Sequence, residues 1–220
     1  MGLIAKETGS GSSIEPIPEG TYEAVCYAVI DLGTHYSETF KKEAHKVLIQ
    51  WEIPECRITV ERDGKDVDLP RVISRRYTMS LHKKAALRHD LEAWRGKAFT
   101  EDELAGFDVS TIVGHGCLLG IVHEEGKEGK VYAGISSILA LPRVKGRKPA
   151  APENEPLVFS IPEDAGPRFA VPETLPDWIV QTIKESREWT GKGQRPAIQP
   201  PTVVDEKDVE ISGNDEEMPF

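Results

Sequence analysis

Between Arg71 and Lys97 the chain places eight basic residues, Arg71, Arg75, Arg76, Lys83, Lys84, Arg88, Arg95 and Lys97, against only Asp90 and Glu92. Tyr77 lies inside this run. Tyr36, Phe40, Lys41 and Lys42 make a second cluster of rings and cations earlier in the chain, with Lys46 and Trp51 just beyond it. Cations that track phosphates, interleaved with rings on which bases stack, are what a groove for a single-stranded nucleic acid needs. Lys127 and Lys130, in a glycine-marked turn, add charge at a third place. Each group has a plainer reading beside this one. Lys83, Lys84 and Arg88 suit a solvated helix face. Trp51 shares a face with Val47, Ile49 and Ile53, which marks a buried side as well as a stacking candidate. Arg75 and Arg76 are adjacent on a strand, so they point to opposite faces and at least one must point outward.

The other reactive side chains assemble into nothing specific. Glu61, Asp63, Asp66 and Asp68 surround an Asp-Gly turn and do not have calcium-loop spacing. His115, Cys117 and His123 fit no zinc pattern. The chain has no GxSxG, P-loop, HExxH or GxGxxG motif, so no enzyme, metal or cofactor is expected.

The elements that must carry these residues are mostly strands. Residues 1–19 are Gly/Ser-rich and then proline-marked, and read as a mobile arm. Thr21–Leu32, bounded by Gly20 and Gly33, is rich in β-branched and aromatic residues, the mark of a strand. Gly33–His45 is polar and reads as a loop of some length. Lys46–Ile53 is a second strand that Pro54 should end. Asp63-Gly64 is a hairpin signal between Arg57–Val60 and Val67–Leu69. Arg71–Ser80 is a further strand. Leu87, Leu91 and Trp94 recur at helical spacing, with Ser80 as a candidate cap and Gly96 as a stop. Thr100 and Glu103 form a capping box for a short second helix that Gly106 ends. Gly116–Glu124 and Val131–Leu141 are two late strands joined by the turn 125–130.

This order predicts a mainly β domain over residues 20–148, a five-stranded Greek-key barrel of the OB type with a helix between strands 3 and 4. An OB-fold binds through the face of strands 2 and 3 and the 1–2 and 4–5 loops, which brings the three basic groups together. Residues 149–190 then read as a linker with a helical extension. There Trp178, Ile179, Ile183 and Trp189 share a face of Leu175–Trp189 that packs on the barrel or on a second copy. Residues 191–220 are proline-rich and then acidic, with no core pattern, and should be disordered.

The chain closes on Asp215, Glu216, Glu217, Met218, Pro219 and Phe220. This acidic tip ending in Pro-Phe, on a flexible linker after an OB-like string, resembles the bacterial and phage single-stranded DNA-binding proteins. The resemblance lies in tip and architecture, with Met218 standing where that family often has a β-branched residue. It implies coating of single strands during replication, recombination or repair, and recruitment of protein partners by the tip. Phe220 would be the apolar anchor, Pro219 would limit its freedom, and the three acids would steer towards basic rims. A recombination mediator or annealing accessory is the alternative. A metal-dependent nuclease accessory using the carboxylates near Asp63 is a more distant one.

Charge does not oppose this. Residues 1–150 carry 21 Lys and Arg against 22 Asp and Glu, and residues 151–220 carry 6 against 15. Nearly all of the formal −10 therefore belongs to the last third, and the body is near neutral. No apolar run approaches a membrane span. The start lacks the apolar core of a signal peptide. Three scattered cysteines suit reduced, buried thiols. The expectation is a soluble protein of a bacterial host cytoplasm, with homo-oligomerisation left open.

Overall fold

A computed structural model describes residues 15–38, 41–62, 64–126, 129–142, 150–162 and 165–191. Phe40, Asp63, Lys127 and the tip 215–220 lie outside the described residues. The strands are β1 (Gly20–Ser37), β2 (Lys42–Arg62), β3 (Lys65–Thr78), β4 (Gly116–Glu125), β5 (Val131–Ala140) and β6 (Leu157–Phe159). The helices are α1 (Ala86–Arg95), α2 (Glu101–Ala105), α3 (Asp177–Lys184) and α4 (Arg187–Thr190), with a 3-10 turn at Val109–Ile112. Five strands form an antiparallel sheet in the order β3-β2-β1-β4-β5, and β6 pairs parallel with β1. The sheet is not closed, and it has six strands where the sequence suggested five.

Two long strands replace the shorter elements expected. Pro54 does not end β2. The register with β3 jumps from Ile53↔Arg71 to Arg57↔Pro70, and Pro54 sits in that irregularity, where a missing N–H costs no ladder bond. The hairpin at the Asp63-Gly64 signal closes as expected, with Arg62 opposite Lys65 and Gly64 at φ +73°. The polar stretch Gly33–His45 is not a long loop. It continues β1 to Ser37 and starts β2 at Lys42, so only a short turn separates them.

Register irregularities at Tyr27 and Leu32 divide β1 between two cores. Ala24, Cys26 and Val29 join Val47, Ile49, Trp51, Ile53, Ile73, Leu119 and Ile138 in the main core. α1 packs on this core through Leu87, Leu91 and Trp94, the face the spacing predicted. Its N-cap is Ala85, with no side-chain cap. Ser80 instead accepts from the His82 amide. Gly96 ends the helix in the left-handed region, and the Thr100–Glu103 capping box is present. Ile17, inside the segment read as a mobile arm, is also core, at 4% exposure.

The second core lies on the other side of β1 and β2. Ala28, Ile30, Leu32 and Leu48 are covered there by Leu175, Ile179 and Ile183, with Leu157, Phe159, Phe169 and Trp189 at its margin. Trp178 is not on this buried face. It is 48% exposed, because within α3 it stands about 100° round the helix from Ile179, and Ile179 and Ile183 take the inward side; Ser186 separately breaks the predicted helix into α3 and α4.

Candidate nucleic-acid interface

Two of the ring candidates are removed by burial. Trp51 is fully buried, 5.8 Å from the Trp94 ring, and offers no face to a base. Tyr77 is 3% exposed, and its hydroxyl donates to Asp90 Oδ2 at 2.8 Å. Burial, and then the Asp90 carboxylate, push its phenol well above the usual range. Both rings follow from the inward phase of β2 and β3, in which Val47, Ile49, Trp51 and Ile53 face Tyr77, Arg75, Ile73 and Arg71.

Arg75 shares that inward phase and is engaged. It lies 3.1 Å from Asp90 Oδ2, donates to the Ile135 carbonyl at 3.4 Å and sits over the Tyr77 ring. Arg76 is the outward member of the pair, exposed and without an ion pair among the described residues. Beside it, Lys46 Nζ donates to Thr78 Oγ1 at 2.7 Å. Partial burial, and then the Arg76 charge, hold the Lys46 ammonium below its ordinary value.

The β1–β2 turn extends this surface. Tyr36 is 54% exposed and pairs across the hairpin with Glu43. Lys42 opens β2 opposite Ser37, and Lys41 is held by Glu38 at 2.8 Å. Because Lys46 is opposite Thr78, the chain that follows β3 leaves from this same end, carrying exposed Lys83 and Lys84. Lys41, Lys42, Lys46 and Arg76 thus gather at one end of the sheet together with Glu38 and Glu43, and the register places Tyr36 on the hairpin face opposite to Lys42 and Lys46.

Arg71 and Lys130 lie elsewhere, in a groove of about 770 Å³ between β3 and β5. Residues Arg71–Ser74 form one wall and Lys130–Ala133 the other, with Glu15, Pro16 and Ile17 completing the lining. Arg71 donates to the Glu15 carbonyl. Tyr132, 53% exposed, stands on the β5 wall with Val131, and Val72 is exposed on the β3 wall. Sequence reasoning missed Tyr132. The signal was there, because Tyr132 alternates with Ala133 and Ile135 in the opposite phase and so belongs to the outward set.

The outer face of strands 2 and 3, the expected platform, is open only in part. Over β2, Leu48, Gln50 and Glu52 are buried beneath the C-terminal extension. The Glu52 carboxylate accepts from the Glu153 amide at 2.6 Å, the Asn154 amide at 2.9 Å and the Asn154 side chain at 2.6 Å. Beside these buried residues, the β3 row Val72, Ser74, Arg76 and Thr78 keeps access to solvent, as does Lys46 at the end of the β2 row.

A polar cluster holds that extension down. Glu188 of α4, 6% exposed, accepts from the Thr34 amide at 2.7 Å and the Thr34 hydroxyl at 2.8 Å, and lies 3.7 Å from His45 Nδ1. Asp31 Oδ1 lies 2.7 Å from His45 Nε2 and accepts from the Gly33 amide, while Oδ2 accepts from the Ile161 amide. Burial pushes both carboxyls up. The hydrogen bonds and His45 outweigh it and leave both below the ordinary value. Gly33, at φ +79°, is required here, since a Cβ would come within 2.5 Å of Ser186 Cβ.

The remaining constellations are structural. Arg57 bridges Asp68 at 2.9 Å and Glu153 at 2.6 Å. His123 hydrogen-bonds through Nε2 with the Ile17 carbonyl, and burial pushes the Cys117 thiol up. Among the described residues no group of His, Cys, Asp and Glu could hold a metal ion, and no helix is long and apolar enough to cross a membrane. No family model matches the chain. No curated protein is similar to it in sequence.

Proposed function

We propose that the chain is a single-stranded DNA-binding protein of the phage or prophage type, coating exposed strands in replication and recombination. The observation that carries this reading is the gathering of Lys41, Lys42, Lys46 and Arg76 at one end of the sheet, with the exposed ring of Tyr36 on the other face of the same hairpin. The strand order supports it too. β3-β2-β1-β4-β5, with α1 between β3 and β4, is an order that an OB barrel would have, and in this reading its seam would fall between β3 and β5. Phosphates would be neutralised by the four cations while a base stacks on Tyr36, a sequence-tolerant mode with no covalent step. The tip Asp215–Phe220 would then recruit replication and recombination proteins, with Phe220 as anchor.

Anisotropy titration of labelled oligo-dT and of a duplex of equal length, at low and high salt, tests the reading. Tight single-strand binding that weakens steeply with salt and exceeds duplex binding is expected. Equal, weak binding to both would overturn it.

A further inference from the structure

Resting on the single-strand reading above, we infer that the groove between the outer edges of β3 and β5 is a second nucleobase-binding subsite. Tyr132 would be its stacking residue, and Arg71 and Lys130 its phosphate contacts. An outer β2–β3 face alone would make this groove unnecessary. In this chain, however, that face is roofed over β2, where Leu48, Gln50 and Glu52 are buried under the C-terminal extension. A strand that starts at Lys41, Lys42 and Arg76 can follow only the exposed row of β3 through Ser74 and Val72. That row leads to the groove wall at Arg71–Ser74.

The groove suits a base. Its volume, about 770 Å³, falls in the range of small-ligand sites. Ile17 and Ile73, both buried, supply an apolar lining, and Ala133 packs beside them. Tyr132 on the β5 wall and Val72 on the β3 wall are both exposed in the outward phase of their strands, so a flat ring lying between them removes apolar surface on both sides from water. Among the described residues neither β3 nor β5 has a strand partner on the groove side, which leaves edge amides and carbonyls to meet the polar edge of a base. Arg71 and Lys130 flank the opening from opposite walls. Lys130 makes no ion pair with a described residue. Glu15 is the anion in the lining, and it is its carbonyl that Arg71 holds. An extended peptide could also use free strand edges. The exposed ring between two cations favours a nucleic acid.

The test uses the full chain and an oligo-dT carrying 5-iodouracil. Photo-crosslinking should label Tyr132. Tyr132→Ala should weaken oligo-dT binding about 5- to 150-fold, the range of one missing base–ring stack, and Tyr132→Phe should restore it. Lys130→Ala should reduce the salt slope. Tyr132 is half exposed, so an unchanged melting temperature should accompany each variant. In parallel, Lys41→Ala with Lys42→Ala reports on the hairpin end. If the hairpin pair weakens binding while Tyr132→Ala and Lys130→Ala do not, the single-strand reading stands and the groove inference falls. If neither set changes affinity, the reading itself falls, and this inference with it. Silence of Tyr132→Ala towards DNA, together with binding of an extended acidic peptide that the same substitution abolishes, would assign the groove to a peptide strand and overturn the proposal.

Discussion

Replacing Glu188 by alanine should release α4 from the sheet without unfolding the domain. The carboxylate satisfies the amide and hydroxyl of Thr34, a residue 2% exposed, and faces His45. Removing one partner of a buried charged cluster costs about 3–5 kcal/mol, because the groups left behind stay dry and unpaired. The loss is capped by what holds α4 in place. Once α4 lifts, water reaches Thr34 and no further cost accrues, while Ile179 and Ile183 keep α3 docked. A loss of about 3 kcal/mol in α4 docking corresponds to roughly a hundredfold rise in the open population. Arg187, half-buried and bonded to Glu43, is the natural reporter, since trypsin can cut there only in the open form. Limited trypsinolysis under native conditions, with each rate divided by that of the same bond in the unfolded variant because residue 188 adjoins it, should therefore show cleavage at Arg187 accelerated by about two orders of magnitude in Glu188→Ala, and by less in Glu188→Gln. A rate within twofold of the original protein, with an unchanged fragment pattern, would refute the argument that this cluster fastens the extension.

Acid should have the same effect. Asp31 and Glu188 have folded values below their ordinary ones, so the stability they contribute is complete above about pH 4–4.5 and is lost as pH falls through the depressed folded values. Melting temperature measured from pH 7 down to pH 3 should drop at the acid end, and less so in Glu188→Gln. Trp51→Ala should cost about 3–5 kcal/mol in urea denaturation, since the ring is wholly core, and any loss of DNA binding should track unfolding. Lys41→Ala with Lys42→Ala should reduce the log–log salt slope for oligo-dT by about 0.7 for each phosphate no longer neutralised, read from titrations at several salt concentrations. Phe220→Ala should leave melting and DNA affinity unchanged while abolishing capture of replication proteins from bacterial lysate; equal recovery from both proteins would leave the tip as a solubility element.

Periodicity made the inner half of the fold legible. Val47, Ile49, Trp51 and Ile53 announce a buried strand face, and Leu87, Leu91 and Trp94 announce the helix that plugs it. The outer half was not legible, for physical reasons. Thr34 and His45 look like loop residues because they are polar, yet they are strand residues whose polar groups are met by Glu188, more than a hundred positions away. Leu157–Phe159 is too short to show a period and lies in proline-rich sequence. For the candidate site, composition identified the cations but not which of them are occupied. Only the register of β2 and β3 separates Arg76, which is open, from Arg75, which is committed to Asp90.

The way β1 shares its edges has a consequence for synthesis on the ribosome. One edge pairs with β2 along most of its length. The other pairs with β4 over Gly20–Val25 and with β6 over Ala28–Ile30. The residues that complete this second edge are translated about 130 positions after the strand they complete. At roughly 5–20 residues per second, the unpaired strand edge at Ala28–Ile30 would wait about 6 to 26 s for its partner. During that interval the nascent chain carries an open, hydrophobic strand edge of the kind that pairs with the wrong chain. Yield on rapid overexpression should therefore depend on how quickly the segment through Phe159 clears the exit tunnel. Slow codons between β5 and β6 would lengthen the exposure, and the gain from lowering growth temperature would come from fewer nascent chains meeting while that edge is bare.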